Sequence, residues 1–188
     1  MTIPNSFPFD IEKAIQAIGV LHSAEDDAKV AYYRLLKFLY ISDREYLKET
    51  GRPIVGGRDV AMNKGPLSSS VYDLIKGQHQ DSCRFFEFFH RQNRLLQVKK
   101  DPGRDDLSKR EIRKLVEVSE RYRDFDDDDV GALAHQFEEY KACFVRDTST
   151  TIPLSKKIEA MGIFDKSDSI QKDIQQMIAW KQLIGSGR

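Results

Sequence analysis

At 188 residues the chain has the length of one domain, with room for a helical appendage. Apolar residues make up 40 %, eleven phenylalanines among them, and charged residues 32 %, which suits a packed core under a well-solvated surface. Thirty basic and thirty acidic residues cancel, which argues against a dedicated nucleic-acid binder, and no run reaches the roughly 18 apolar residues of a membrane-spanning helix.

The opening MTIPNSFPFDIEK has neither the basic start nor the apolar centre of an export signal, so a cytoplasmic protein is expected. Cys83 and Cys143 then read as reduced core residues, not as a disulfide framework.

Phe9 to Leu21 predicts a first helix capped by Asp10, with Ile11, Ala14, Ile15 and Ile18 at helical spacing. Ser23, followed by Ala24-Glu25-Asp26, predicts the start of a long second helix. From Val30 to Ile41 its apolar arc is wide enough for packing on several sides, and Gly51 and Pro53 stop it. Ile54-Val55 and Val60-Ala61-Met62 around Gly56-Gly57 predict a β-hairpin near 54–62, because two glycines permit a tight turn. Gly65-Pro66 then turns the chain. One of Ser68, Ser69 or Ser70 caps a short helix that ends near Gly77.

Ser82 to Arg91 reads as helix and Leu95 to Lys100 as strand. Ser108 and Glu111 form a capping box ahead of Ile112, Leu115, Val116, Ser119 and Tyr122. Asp126 to Asp129 open a helix carrying Val130, Leu133, Phe137 and Tyr140. After a break at Ile152-Pro153, two helices are expected over Ser155 to Met161 and Ser169 to Ile184, the last one docked through Ile170, Ile174, Met177, Ile178 and Leu183. The expected class is mainly α (α+β). A helical domain over 1–150 carries the hairpin, and C-terminal helices over 151–188 dock on the same domain.

Lys37-Phe38-Leu39-Tyr40, Asp43-Arg44-Glu45, Gly51-Arg52-Pro53-Ile54, Val60-Ala61-Met62, Gly65-Pro66 and Ser70-Val71-Tyr72-Asp73 follow one another in fixed order. In order and spacing they resemble the Panacea antitoxin domain family, which includes SocA-like antitoxins. A second match runs through Leu107-Ser108, Glu111, Val118, Tyr122, Leu133 and His135. The tryptophan usual after the motif histidine is replaced here by Phe137, Tyr140 and Phe144. The resemblance implies a bacterial or phage protein encoded beside a toxin. Its partner would be that toxin, masked by direct binding or, in SocA-like members, delivered to an ATP-dependent protease. It implies Tyr40, Asp43, Arg44, Gly51, Arg52, Pro53, Gly65, Pro66 and Tyr72 as the motif that builds the scaffold.

The residues themselves favour structure over chemistry, and no catalytic, cofactor or metal set is expected. Asp43 and Glu45 diverge by about 200° on a helix, so they do not converge on one atom; an ion-pair network through Arg44 or Arg52, tying the helix end to the hairpin, is expected instead. Lys64-Gly65-Pro66 with the serines reads as a turn and cap, not a phosphate loop. His79, Cys83 and His90 lack regular zinc spacing and a fourth ligand. His135 reads as a hydrogen-bonded structural histidine.

Two groups are candidates for partner contact. Phe85, Phe86, Phe88 and Phe89 span about 160° of one helix; core packing accounts for them, and any exposed part would be a strong contact surface. Lys109, Arg110, Arg113 and Lys114 form a basic face, either a solvated surface or a phosphate-contacting helix that would make the protein a transcriptional regulator. The carried candidates are Phe85, Phe86, Phe89, Lys109 and Arg113.

Overall fold

The computed structural model describes residues 4–185. It is mainly helical with two small antiparallel sheets. Helix α1 (Ile11–Ser23) starts where Asp10 accepts a hydrogen bond from the Lys13 amide. Strand β1 (Val30–Ala31) follows, and the central helix α2 (Tyr32–Thr50) is buried from Arg34 through Asp43 without interruption. The wide apolar arc therefore marks a helix surrounded on several sides. Gly51, at φ 82°, ends it in the left-handed conformation that a residue with a Cβ resists.

Helix α2 begins at Tyr32, not at Ser23. Val30 and Ala31 pair with a later strand, and the Tyr32 amide bonds the Arg94 carbonyl at 3.0 Å. The acids that read as a first helical turn do other work: the Ala24 and Glu25 amides close the end of α1, and the Glu25 carboxylate takes the Arg34 guanidinium.

The hairpin also moves. Strands β2 (Asp59–Met62) and β3 (Gly65–Ser68) pair around Asn63-Lys64, so the hairpin spans 59–68, not 54–62. Gly65 opens a strand; it does not turn the chain. Residues 54–57 are fixed elsewhere: the Ile54 and Val55 amides go to Asp43, the Val55 carbonyl to the Asp10 amide and the Gly57 amide to the Phe7 carbonyl. Gly56 and Gly57 have positive φ, and a Cβ on them would stand 2.7 Å from the Pro8 carbonyl and from Ser70 Oγ. The glycine pair serves close packing, not a tight turn.

Helix α3 (Ser69–Lys76) is capped by Ser68 and ended by Gly77. Helix α4 (Ser82–Phe88) is shorter than expected, because Phe89 onward leaves the helix as β4 (Phe89–Gln92), paired with β5 (Leu95–Val98). The order β1-β5-β4 makes one sheet.

Helix α5 (Lys109–Arg121) carries the complete Ser108–Glu111 capping box. The single helix expected after Asp126 is two, α6 (Asp127–Ala134) and α7 (Glu138–Cys143). Phe137 separates them in an extended conformation, its ring 6.1 Å from that of Tyr40. Strand β6 (Thr150–Ile152) pairs with β2, giving the second sheet, β3-β2-β6. Helix α8 (Leu154–Met161), a 3₁₀ turn (Phe164–Lys166) and α9 (Ser167–Gly185) complete the chain.

The main core packs α1, α2, α3 and α5 against the first sheet, around Leu35, Phe38, Leu39, Phe85 and Leu115. A smaller core seats the C-terminal segment: Leu154, Ile158, Ile170 and Ile174 cover Phe7 and Leu47. Beyond Met177 the last helix is more open: Ile178 and Leu183, expected to dock, are exposed, Trp180 is 65 % exposed, and Lys181 still donates to the Phe9 carbonyl.

Candidate functional site

The motif residues of α2 build an internal charge network. Asp43 is buried, and its Oδ1 accepts from the Ile54 and Val55 amides at 2.9 and 3.2 Å, which locks the chain after α2. Arg44 places two nitrogens on Glu139 of α7, and its guanidinium covers the Phe137 ring at 4.3 Å. Tyr40 donates to the same carboxylate at 3.2 Å. Over the Tyr40 ring, 5.3 Å from its centroid, the Lys157 ammonium of α8 reaches Asp59 of β2 at 2.7 Å. Arg52 pairs with Asp173 of α9 through two bonds of 2.6 and 2.7 Å. The expected tie between helix end and hairpin is thus replaced: the arginines reach α7 and α9, and Asp43 reaches residues 54–55.

Burial governs the protons here. It pushes the Asp43 carboxyl up to about 7, against the pull of Lys157 and the two amide bonds. It also raises Asp59 above the usual carboxylate range. Burial alone would lower Lys157, but Asp59, with Asp43 and Glu139 behind it, holds that ammonium above its ordinary value. Tyr40 is raised by burial and by the Glu139 charge.

Asp43 and Glu45 face different surroundings. Glu45 pairs with Lys114 and Arg121 of α5, while Asp43 lies under residues 53–57. His135 joins neither: its ring stacks on Tyr140 at 4.9 Å. Among the described residues, no three His, Cys, Asp or Glu side chains gather as a metal set, and no helix is long and apolar enough to cross a membrane.

The phenylalanine arc lies mostly inside. Phe85 and Phe89 are fully buried and stacked at 4.6 Å, and Phe88 is buried too; Phe86 alone is partly exposed. Phe85 and Phe89 therefore offer no surface in this conformation. The basic helix divides. Arg110 and Lys114 turn toward Glu45 and Glu49 of α2, whereas Lys109 and Arg113 face solvent. Spacing could not show this, because α2 contributes the acids from outside the helix.

A groove of about 320 Å³ runs where four helices approach. Lys13 of α1, Tyr46 and Thr50 of α2, Glu111 of α5 and Met177 of α9 line it, together with the motif residues Arg52 and Pro53. Trp180 lies almost one turn beyond Met177, while Lys109, two residues before Glu111, sits on the solvent side of α5. Contact area, an aromatic anchor and charge of both signs are the parts of a protein-docking surface. Trp180 lay in a segment without motif, so only its residue type could have drawn attention. Glu139, Asp59 and Lys157 carried no local signal at all, since each gains its role from a partner far along the chain.

No curated protein and no solved structure matches the chain. The family model described as antitoxin SocA-like, Panacea domain, matches residues 35–141, from the central helix to α7. That span includes the motif helix, the hairpin and the Arg44–Glu139 pair, and it exceeds half of the 188 residues. The chain belongs to the SocA-like antitoxin family with a Panacea domain.

Proposed function

We propose that this protein is a cytoplasmic antitoxin that neutralises a cognate toxin by direct, stoichiometric binding, and that it is not an enzyme. The observation that carries the reading is the family match falling on a scaffold whose motif charges are committed to internal partners. Asp43 holds the central helix to the loop that follows it, Arg44 holds it to α7, and Arg52 of that loop holds α9. Asp43 and Glu45, the pair an acid–base mechanism would need, have separate partners and do not share a substrate-sized space.

The contact surface we assign is the groove between α1, α2, α5 and α9, extended by the exposed Trp180 of α9 and by Lys109 and Arg113 on the solvent side of α5. Part of it lies outside the family match, in α9, which suits partner choice that differs between members. The split of the basic helix favours protein over DNA, because two of its four cations are already neutralised.

Co-expression tests the reading. The adjacent reading frame should arrest growth alone and become harmless with this protein. A harmless neighbour, or one that stays lethal in the presence of folded protein, contradicts it. Rescue that disappears when an ATP-dependent protease is deleted would convert the mechanism from masking to delivery.

A further inference from the structure

A second opening lies apart from the docking groove, where α2, the β2–β3 turn and α6 meet. It encloses about 360 Å³, within the range of small-molecule sites. Lys37 and His135 both line it. Lys37 is only 4 % exposed, donates to the Pro66 carbonyl at 2.6 Å, and meets no carboxylate among the described residues. An ammonium has three donors, and a buried one without a counter-ion is costly. His135 bonds the Asn63 backbone, and its Nε2 has no hydrogen-bond partner among the described residues.

Gly65 brings the two bases to one point. Its φ is +93°, and a Cβ there would stand 2.9 Å from Lys37 Nζ and 3.2 Å from His135 Nε2. Lys64 and Arg94 add positive charge to the lining, Asp127 and Asp128 of α6 add negative charge, and Tyr33 supplies a ring. Arg34 also lines the opening, but Glu25 and the carbonyls of Tyr122, Arg123 and Phe125 already occupy its guanidinium.

We propose that this cleft is a binding site for a small oxyanion, the phosphate or carboxylate group of a small molecule, which accepts hydrogen bonds from Lys37 Nζ and from His135 Nε2 protonated by solvent. Such a group supplies the counter-ion that Lys37 lacks and the partner that His135 lacks. Asp127 and Asp128 would meet hydroxyl or amino donors on the rest of the ligand. Burial holds Lys37 down to about 7, and burial together with Lys37 lowers His135, so an arriving anion draws protons into the site.

Sulfate and acetate are suitable probes, because neither changes charge between pH 6.5 and 8.5. Each is titrated into ¹⁵N-labelled protein at constant ionic strength, with chloride as the balancing salt. Saturable shifts are expected at the Asn63, Lys64, Gly65 and His135 amides. Saturation by sulfate alone assigns a phosphate-type ligand, and saturation by acetate alone a carboxylate. With a Lys37 value of about 7, loss of the Lys37 proton alone should lower affinity about twenty-five-fold from pH 6.5 to 8.5, and the proton that His135 must also take up makes the fall steeper. Lys37→Met should abolish binding. In the wild-type protein the anion should raise the His135 ring pKa, a readout that needs no variant. Absence of saturable shifts with both probes across the millimolar range, or an unmoved His135 titration at saturation, overturns the proposal. No toxin enters this test, so its failure leaves the antitoxin reading standing.

Discussion

Asp43→Asn should change how stability depends on pH. The buried carboxyl has a folded value of about 7 against an ordinary 3.8, so between these values the folded protein holds a proton that the unfolded chain releases. Stability from this group is therefore fully present below about pH 4 and is lost as pH rises through 7. The shift corresponds to roughly 4 kcal/mol in all, of which about 2 kcal/mol falls between pH 5.5 and 7.5. Asparagine keeps the volume, and its carbonyl oxygen can accept from the Ile54 and Val55 amides, yet it has no proton to lose. Urea unfolding of both proteins at several pH values measures the effect. The stability of Asp43→Asn relative to wild type should improve by about 2 kcal/mol from pH 5.5 to 7.5. Lys37 titrates in both proteins and drops out of the difference. Parallel pH profiles would show that Asp43 ionises normally and that the network is not sealed from water.

Lys37→Met should stabilise the protein by about 1–3 kcal/mol at pH 6.5, because it removes a buried cation at the cost of one hydrogen bond. The lysine is lowered from 10.5 to about 7, so the wild type regains stability as pH rises between those values, and the advantage of the variant should shrink toward pH 10. Denaturation at pH 6.5 and 9.5 checks both statements. Arg44→Ala strands the fully buried Glu139 carboxylate and should cost about 3–5 kcal/mol, whereas Arg44→Met combined with Glu139→Leu should recover most of it. Leu39→Ala, at a fully buried position, should cost about 2–5 kcal/mol in the same assay. Trp180→Ala should leave the melting temperature within a few degrees of wild type while weakening toxin binding at least tenfold by calorimetry, since the ring is 65 % exposed.

The elements that follow local rules were legible in the sequence. Asp10 and Ser108 cap helices, a cap among Ser68, Ser69 and Ser70 falls on Ser68, and Gly51 and Gly77 end helices, because each acts on amides or carbonyls within a few residues. Long-range pairing was not legible. Val30-Ala31 carry a helical pattern until Leu95-Leu96 arrive to pair with them, and Phe89 leaves its helix for the same sheet. Gly56-Gly57 has the composition of a hairpin turn, but Phe7, Pro8 and Phe9 crowd its backbone instead. At the site, Arg44 and Arg52 could be read as ion-paired, while their partners Glu139 and Asp173 could not, lying 95 and 121 residues away. The aromatic arc could be read as core, and the division of the basic helix depended on acids presented by α2.

Neutralisation by contact alone can be measured in one titration. The purified product of the adjacent reading frame is assayed for its toxic activity while this protein is added in steps, with no nucleotide and no protease present. Activity should fall linearly and vanish at a fixed stoichiometric ratio, and the Trp180→Ala protein should require a clear excess. Full toxin activity at a large molar excess of folded protein would contradict the account.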